Sequence, residues 1–371
     1  MPRALSLYLD LTRFFAALVV VLSHFWLVFW PSHPLHWPGP AAVIVFFVLS
    51  GIVIAYVTDG RDRTLTDYTL NRLSRLWSVA LPALAFGMLL FPFVGHSDFL
   101  SEPANSGVWL RSAANVVFLG QVWFFNVAPP LNGPYWSLNY EAWFYAIFGA
   151  WIYIPRPAKV LATCILAALA GPKILLLMPC WLIGVLVYRS IGRWELSQKT
   201  ATILWTGTLG AALLLVKSTV GHHFHEVFQA RWPDAANLLA YSGYLLTDYL
   251  LALLIAGNFY AAAYARWFDR ILVPLARPIR MMASCTLTTY LFHLPLLILL
   301  WDVLQFPAWM CVVALAASIM VIGILTEYRR RELRALLKFM VFQCHSAWRS
   351  VVVKALKPAI SVEKIRHDVS D

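Results

Sequence analysis

Six ionisable residues lie within or at the edge of long apolar stretches of this 371-residue chain: Arg13, His24, Glu141, Asp248, His293 and Asp302. Holding such a side chain at bilayer depth costs about 2.5–3.5 kcal/mol on insertion scales, so each is a functional candidate by default. Arg13 and His24 are eleven residues apart. On one helix that separation is three turns plus about 20°, so both share a face, about 16 Å apart along the axis. A histidine so placed can take a proton from a hydroxyl or carry a group itself. The same pair also suits a snorkelling arginine and an interhelical hydrogen bond. Arg72 and Arg75 share a face at i, i+3. Two guanidiniums there can clamp a phosphorylated ligand, or serve only to set topology. Glu141 follows Pro134, a residue suited to starting a helix, by about two turns. A carboxylate at that depth needs a partner, such as an imidazolium or a substrate hydroxyl. His293 precedes Pro295, which weakens the helix there, and suits a structural contact as well as a chemical one.

Other polar clusters carry less chemistry. His222, His223, His225 and Glu226 form a group whose spacing matches no zinc signature, and the segment reads as a solvated outer loop. Cys164, Cys180, Cys285, Cys311 and Cys344 are scattered without a CxxC pair, which points to neither a disulfide framework nor a metal site. His33 and His36, in a Pro/Trp-rich outer loop, read as interface residues.

The elements that position these residues must be membrane helices. Apolar residues make up 61% of the chain and charged residues 13%, against about 25% charged in soluble domains. Mean hydropathy is +0.70. Apolar runs of about 17–25 residues recur, each long enough to cross a bilayer. Ten spans are expected, at 8–30, 41–58, 73–93, 134–153, 158–171, 173–190, 200–217, 239–260, 281–303 and 308–326. The segment 108–125 is expected to lie on the surface or re-enter from it. The first run reads as a retained span, since it carries Arg13 and extends well beyond a signal-peptide core. The fold class is therefore an all-α polytopic membrane bundle.

With both termini in the cytoplasm, the inner segments hold every Lys and Arg except Arg111, Lys173, Lys217 and Arg231, as the positive-inside rule requires. Topology thus accounts for the net charge of +11, and nucleic acid is not an expected partner. Residues 329–371 alternate basic and apolar positions, which suits an amphipathic cytoplasmic tail on an anionic leaflet. Residues 1–328 form the membrane domain.

Five motifs in order resemble the acyltransferase 3 family of bacterial membrane acyltransferases. They are Arg13 with His24; Gly39 through Phe46, Phe47, Ser50 and Gly51; Arg72 with Arg75; Tyr135-Trp136-Ser137-Leu138 with Glu141; and Thr289 through Tyr290, His293 and Pro295. The second departs from the family pattern, reading Pro40 to Val45 where an acidic residue is common. The resemblance implies a membrane O-acyltransferase of the bacterial inner membrane. It would move an acyl group, most commonly acetyl, from cytoplasmic acyl-coenzyme A to a hydroxyl of an extracytoplasmic glycan or glycoconjugate. Arg13, Arg72 and Arg75 would hold the donor phosphates. His24 would be general base or transient acyl carrier, and Glu141 would orient it or bind acceptor hydroxyls. Trp136, Ser137, Tyr290 and His293 would bind substrate, and no metal is implied. Segments 94–133 and 218–238 are expected to shape acceptor choice, with polysaccharide-assembly proteins as possible partners. Two other readings remain open: a transporter or flippase whose intramembrane charges line a path, and a scaffold for polysaccharide assembly.

Overall fold

The computed structural model describes residues 1–30, 38–94 and 107–343. His33, His36, Cys344 and the tail beyond residue 343 lie outside the described residues. Among the described residues every regular element is helical. The helices are α1 (Arg3–Phe29), α2 (Gly39–Gly60), α3 (Leu65–Leu90), α4 (Val108–Val116), α5 (Trp136–Tyr153), α6 (Ala158–Ala170), α7 (Pro172–Ser190) and α8 (Gln198–Lys217). They continue with α9 (Val220–Arg231), α10 (Pro233–Leu239), α11 (Leu245–Ala262), α12 (Trp267–Leu272), α13 (Ala276–Ser284), α14 (Thr286–Ile298) and α15 (Ala308–Thr326). The chain is a multi-pass, all-α membrane protein.

Among the described residues eight helical stretches are long and apolar enough to cross a bilayer: α1, α2, α3, α7, α8, α10 with α11, α14 with its π-helical extension, and α15 with the helix after it. They coincide with eight of the ten expected spans. The other two are helices as well, but different in kind. α5 carries Ser137, Asn139, Tyr140, Glu141 and Tyr145, most of them buried against protein rather than lipid. α6 has 13 residues, about 20 Å of rise, and packs against α5. The span expected at 281–303 breaks at Cys285, because α13 is a separate amphipathic helix. The segment 108–125 contains the nine-residue α4 and then turns, so it does not span.

α2 and α7 cross in close backbone contact. A Cβ on Gly51 would lie 2.1 Å from the Trp181 carbonyl oxygen, and one on Gly184 would lie 2.0 Å from that of Val48. Small residues that let backbones meet in this way drive association of membrane helices. Either Gly51→Ala or Gly184→Ala should therefore push the pair apart. The expected loss, by analogy with overpacking, is about 1–3 kcal/mol, read as a lower unfolding midpoint in detergent. An unchanged midpoint in both variants would contradict the packing.

α14 passes through Pro295 without breaking. A proline there removes the bond to the Leu291 carbonyl one turn earlier, and the Asn132 side chain fills that place with an Nδ2–O bond of 2.8 Å. The turn before α5 is thus pinned beside His293. Lys173, buried at the start of α7, donates to Gln121 Oε1 at 3.1 Å and to the Phe125 carbonyl at 2.6 Å, which fastens the segment after α4 to the bundle.

Candidate active site

α1 is one unbroken helix, so Arg13 and His24 share a face as their spacing requires. At the interface of α1 with α14, His24 meets His293: Nδ1 of the first lies 3.2 Å from Nε2 of the second. The tautomers follow from the partners. His293 Nδ1 faces the carbonyls of Thr289 and Tyr290 at 3.1 and 2.9 Å. Carbonyls only accept, so that nitrogen carries the proton and the Nε2 of a neutral ring is an acceptor. His24 Nδ1 also faces the Val20 carbonyl at 2.9 Å and is therefore the protonated nitrogen. The Nε2 of His24 keeps its lone pair and makes no hydrogen bond with a described residue. That is the form a general base or a nucleophilic imidazole needs.

His24 forms part of the wall of a cavity of about 530 Å³. Trp26, Trp30, Trp136, Tyr241 and Tyr244 supply aromatic surface; Ser23, His222 and Asp248 supply polar groups. Trp136 and Tyr241 stack almost flat, 4.3 Å apart at 4°. α1 and α2 come close here, since a Cβ on Gly39 would lie 3.0 Å from Ser23 Oγ. The segment expected to be a solvated loop around His222 is instead α9. Nothing from His222 to Arg231 breaks a helix, and Pro233 begins the next. His225 stacks on Tyr244 at 4.3 Å, and His222 faces the cavity.

Toward the N-terminal end of α1 a second polar cluster forms. Arg13 pairs with Asp10 at 3.3 Å and lies in the field of Arg75, Glu141 and Tyr145. Arg75 has Tyr145, Glu141, Glu327 and Asp10 as electrostatic neighbours, yet it makes no ion pair or hydrogen bond through its guanidinium among the described residues. Glu141 accepts from Ser50 Oγ at 2.6 Å and from the Tyr145 hydroxyl. Trp181 Nε1 donates to Ser50 at 3.1 Å, so the tight α2–α7 crossing sets this network.

Several expected roles are rearranged. Arg72 does not share the unpaired state of the half-buried Arg75. It is buried and paired to Asp62 at 3.1 Å, with its guanidinium over the rings of Tyr68 and Tyr145. The reason is that α2 ends just before Asp62, which brings a buried carboxylate to the N-terminal part of α3. Removing one partner of a buried pair costs about 3–5 kcal/mol. Arg72→Ala should accordingly fold poorly, seen as loss of monodisperse protein, and Asp62→Ala should match it; a well-folded Arg72→Ala protein would contradict this. Glu141 is engaged by Ser50 and Tyr145, and His293 takes the place beside His24 that was expected for it. Of the four expected substrate-binding residues, Trp136 and Tyr290 line the cavity. Ser137 stands behind, bonded to the Tyr290 hydroxyl at 2.7 Å, and His293 is fully buried. Asn132, Ser50, Asp62 and Tyr145 were not singled out from sequence. Ser50 belongs to the Gly39–Gly51 motif, and Asp62 and Asn132 sit near helix ends where a side chain can meet an unsatisfied group.

A family of sequences described as an acyltransferase domain matches residues 6–328. The chain belongs to the acyltransferase 3 family. All five motifs lie inside the matched region, and the structure brings Arg13, His24, Arg75, Glu141 and His293 to two linked clusters along α1. Relatives of this family member include the exopolysaccharide production protein ExoZ of Rhizobium meliloti (strain 1021), 29% identical over 123 residues, 32% of this chain and 36% of that protein. Another is acyltransferase MdmB of Streptomyces mycarofaciens, 30% identical over 127 residues, 33% of this chain and 30% of that protein. The match spans about a third of each of these relatives. No solved structure matches the chain.

Proposed function

We propose that this family member is an O-acyltransferase of a bacterial inner membrane. It takes an acyl group, acetyl first among candidates, from cytoplasmic acyl-coenzyme A and delivers it to a hydroxyl of an extracytoplasmic glycan or glycoconjugate. The observation that carries this reading is the position of His24. Its Nδ1 is held by Val20 and His293 while the ring forms part of a large aromatic cavity, and Arg13 lies three turns away on the same helix.

In this reading the donor's phosphates bind at Arg75, whose guanidinium makes no ion pair among the described residues, with Arg13 beside its Asp10 partner as the second cation, and not at Arg72, which is buried against Asp62. The pantetheine arm spans the offset of about 16 Å to His24. His24 Nε2 removes the acceptor hydroxyl proton as the oxygen attacks the thioester carbonyl, or it attacks the carbonyl first and passes the acyl group on. The carbon–sulfur bond breaks in either case and coenzyme A leaves as the thiol. Glu141, held by Ser50 and Tyr145, places a carboxylate near both arginines and offsets their mutual repulsion. ExoZ, by its name, acts in exopolysaccharide production; a polysaccharide acceptor here would be of that kind.

The test is thiol capture of coenzyme A released from acetyl-coenzyme A by purified protein in nanodiscs. Slow release by the wild type without added acceptor, rising when membrane glycan extract is added, is the expected result. Donor that neither binds nor breaks down would favour a transporter built on the same charges.

A further inference from the structure

Asp248 has no role in the chemistry above, yet it occupies the cavity wall. It lies in the first turn of α11 and is 9% exposed. Its carboxylate makes no hydrogen bond or ion pair with any described residue, although its backbone is bonded normally: its N–H donates to the Tyr244 carbonyl at 3.0 Å. A carboxylate taken out of water is costly unless something donates to it. The open side of this one faces the cavity, so the missing donors are to be supplied by what binds there.

The rest of the wall narrows the chemistry. Among the lining residues none is lysine or arginine. A phosphate, sulfate or carboxylate would meet no guanidinium or ammonium there, and would meet Asp248. Trp26, Trp30, Trp136 and Tyr241 offer flat faces of the sort that cover the apolar side of a ring. Ser23 and Ser218 add hydroxyls on the same wall. A cavity of about 530 Å³ is within the usual range for a small-molecule site of about 300–1,000 Å³.

We propose that this cavity takes a sugar-like ring that presents hydroxyl or ammonium donors to Asp248 and carries no anionic group, with Asp248 as the residue that selects it. The inference rests on the reading of this cavity as the acceptor site. It narrows the acceptor from any glycan to neutral or amino-bearing rings. Asp248 is a specificity residue; the reacting hydroxyl goes to His24.

The experiment titrates wild-type protein in nanodiscs with methyl glucoside, glucosamine and glucuronate, reading intrinsic tryptophan fluorescence, since three tryptophans line the cavity. Methyl glucoside and glucosamine should saturate, and glucuronate should bind at least tenfold more weakly. Whichever of the first two binds better tells whether hydroxyls or an ammonium face the carboxylate. Asp248→Asn, which keeps the shape, should weaken glucosamine at least tenfold and close the gap to glucuronate. Glucuronate binding as tightly as the others in the wild type would overturn the proposal, as would no saturable response to any of the three. A folded Asp248→Asn protein with unchanged affinities would do the same. The wild-type comparison stands even if the variant fails to fold. Coenzyme A release, measured on the same samples, separates the two readings. Selectivity without release removes the acyl-transfer reading alone, and release without selectivity removes this inference alone.

Discussion

Replacing His24 by alanine is expected to lower acyl transfer about a thousandfold, the middle of the range that a positioned general base contributes. If the imidazole carries the acyl group, the loss is complete. Donor binding should be unchanged, because Arg13 lies about 16 Å away along α1 and Arg75 is on a different helix, α3. His293→Ala should have a smaller effect of the same kind. It leaves His24 in place and removes the acceptor that helps hold its Nδ1 proton, so kcat falls while KM for donor stays. His293→Gln, whose side-chain oxygen can accept from Nδ1, should recover part of the loss. Steady-state kinetics of coenzyme A release on the three variants checks this. Equal activity of His24→Ala and wild type would remove His24 from the mechanism.

The second large effect concerns the donor. Arg75 is charged and makes no ion pair or hydrogen bond through its guanidinium among the described residues. A hydrogen bond to a charged group contributes about 1.5–3 kcal/mol, which is about one to two powers of ten in affinity. Arg75→Ala should therefore raise KM for acetyl-coenzyme A by about ten- to a hundredfold with little change in stability. Arg75→Lys should recover part of it, since it restores charge but not the fork. The neighbouring Arg72→Ala should behave in the opposite way and lose the fold. If Arg75→Ala left KM unchanged, the donor site would have to lie elsewhere.

The contrast between these two arginines shows what local spacing can and cannot reveal. Helical phase puts Arg72 and Arg75 on one face, and it also puts Arg13 in line with His24. Both statements concern a single helix, and both are geometrically sound. What phase does not contain is the partner from another element, and it does contain the one on the same helix, as with Tyr145 one turn after Glu141 on α5. Asp62 takes Arg72, Ser50 takes Glu141, and His293 takes His24. Each contact depends on how α1, α2, α3, α5 and α14 pack, a long-range outcome. The span pattern was legible because apolar length is a local quantity. α5 departs from it because a helix covered by protein tolerates polar residues that a lipid-facing one does not, and α6 because its 13 residues are fewer than a span needs. α9 was missed for a related reason: His-rich composition reads as loop unless the absence of helix breakers up to Pro233 is weighed. Gly51 and Gly184 belong to the same class, since their value lies in the carbonyl that each one meets across the α2–α7 crossing.

The central claim is that an acyl group enters from the cytoplasmic side and leaves on the other through His24. The most direct test supplies radiolabelled acetyl-coenzyme A to sealed membrane vesicles of either orientation, prepared from cells that express the protein, and counts label in the enclosed or external glycan. Inside-out vesicles, whose cytoplasmic face is outward, should load label into the lumenal glycan; right-side-out vesicles should load none. The His24→Ala protein should load none in either. Label that appears equally with His24→Ala, or only in right-side-out vesicles, would contradict the account.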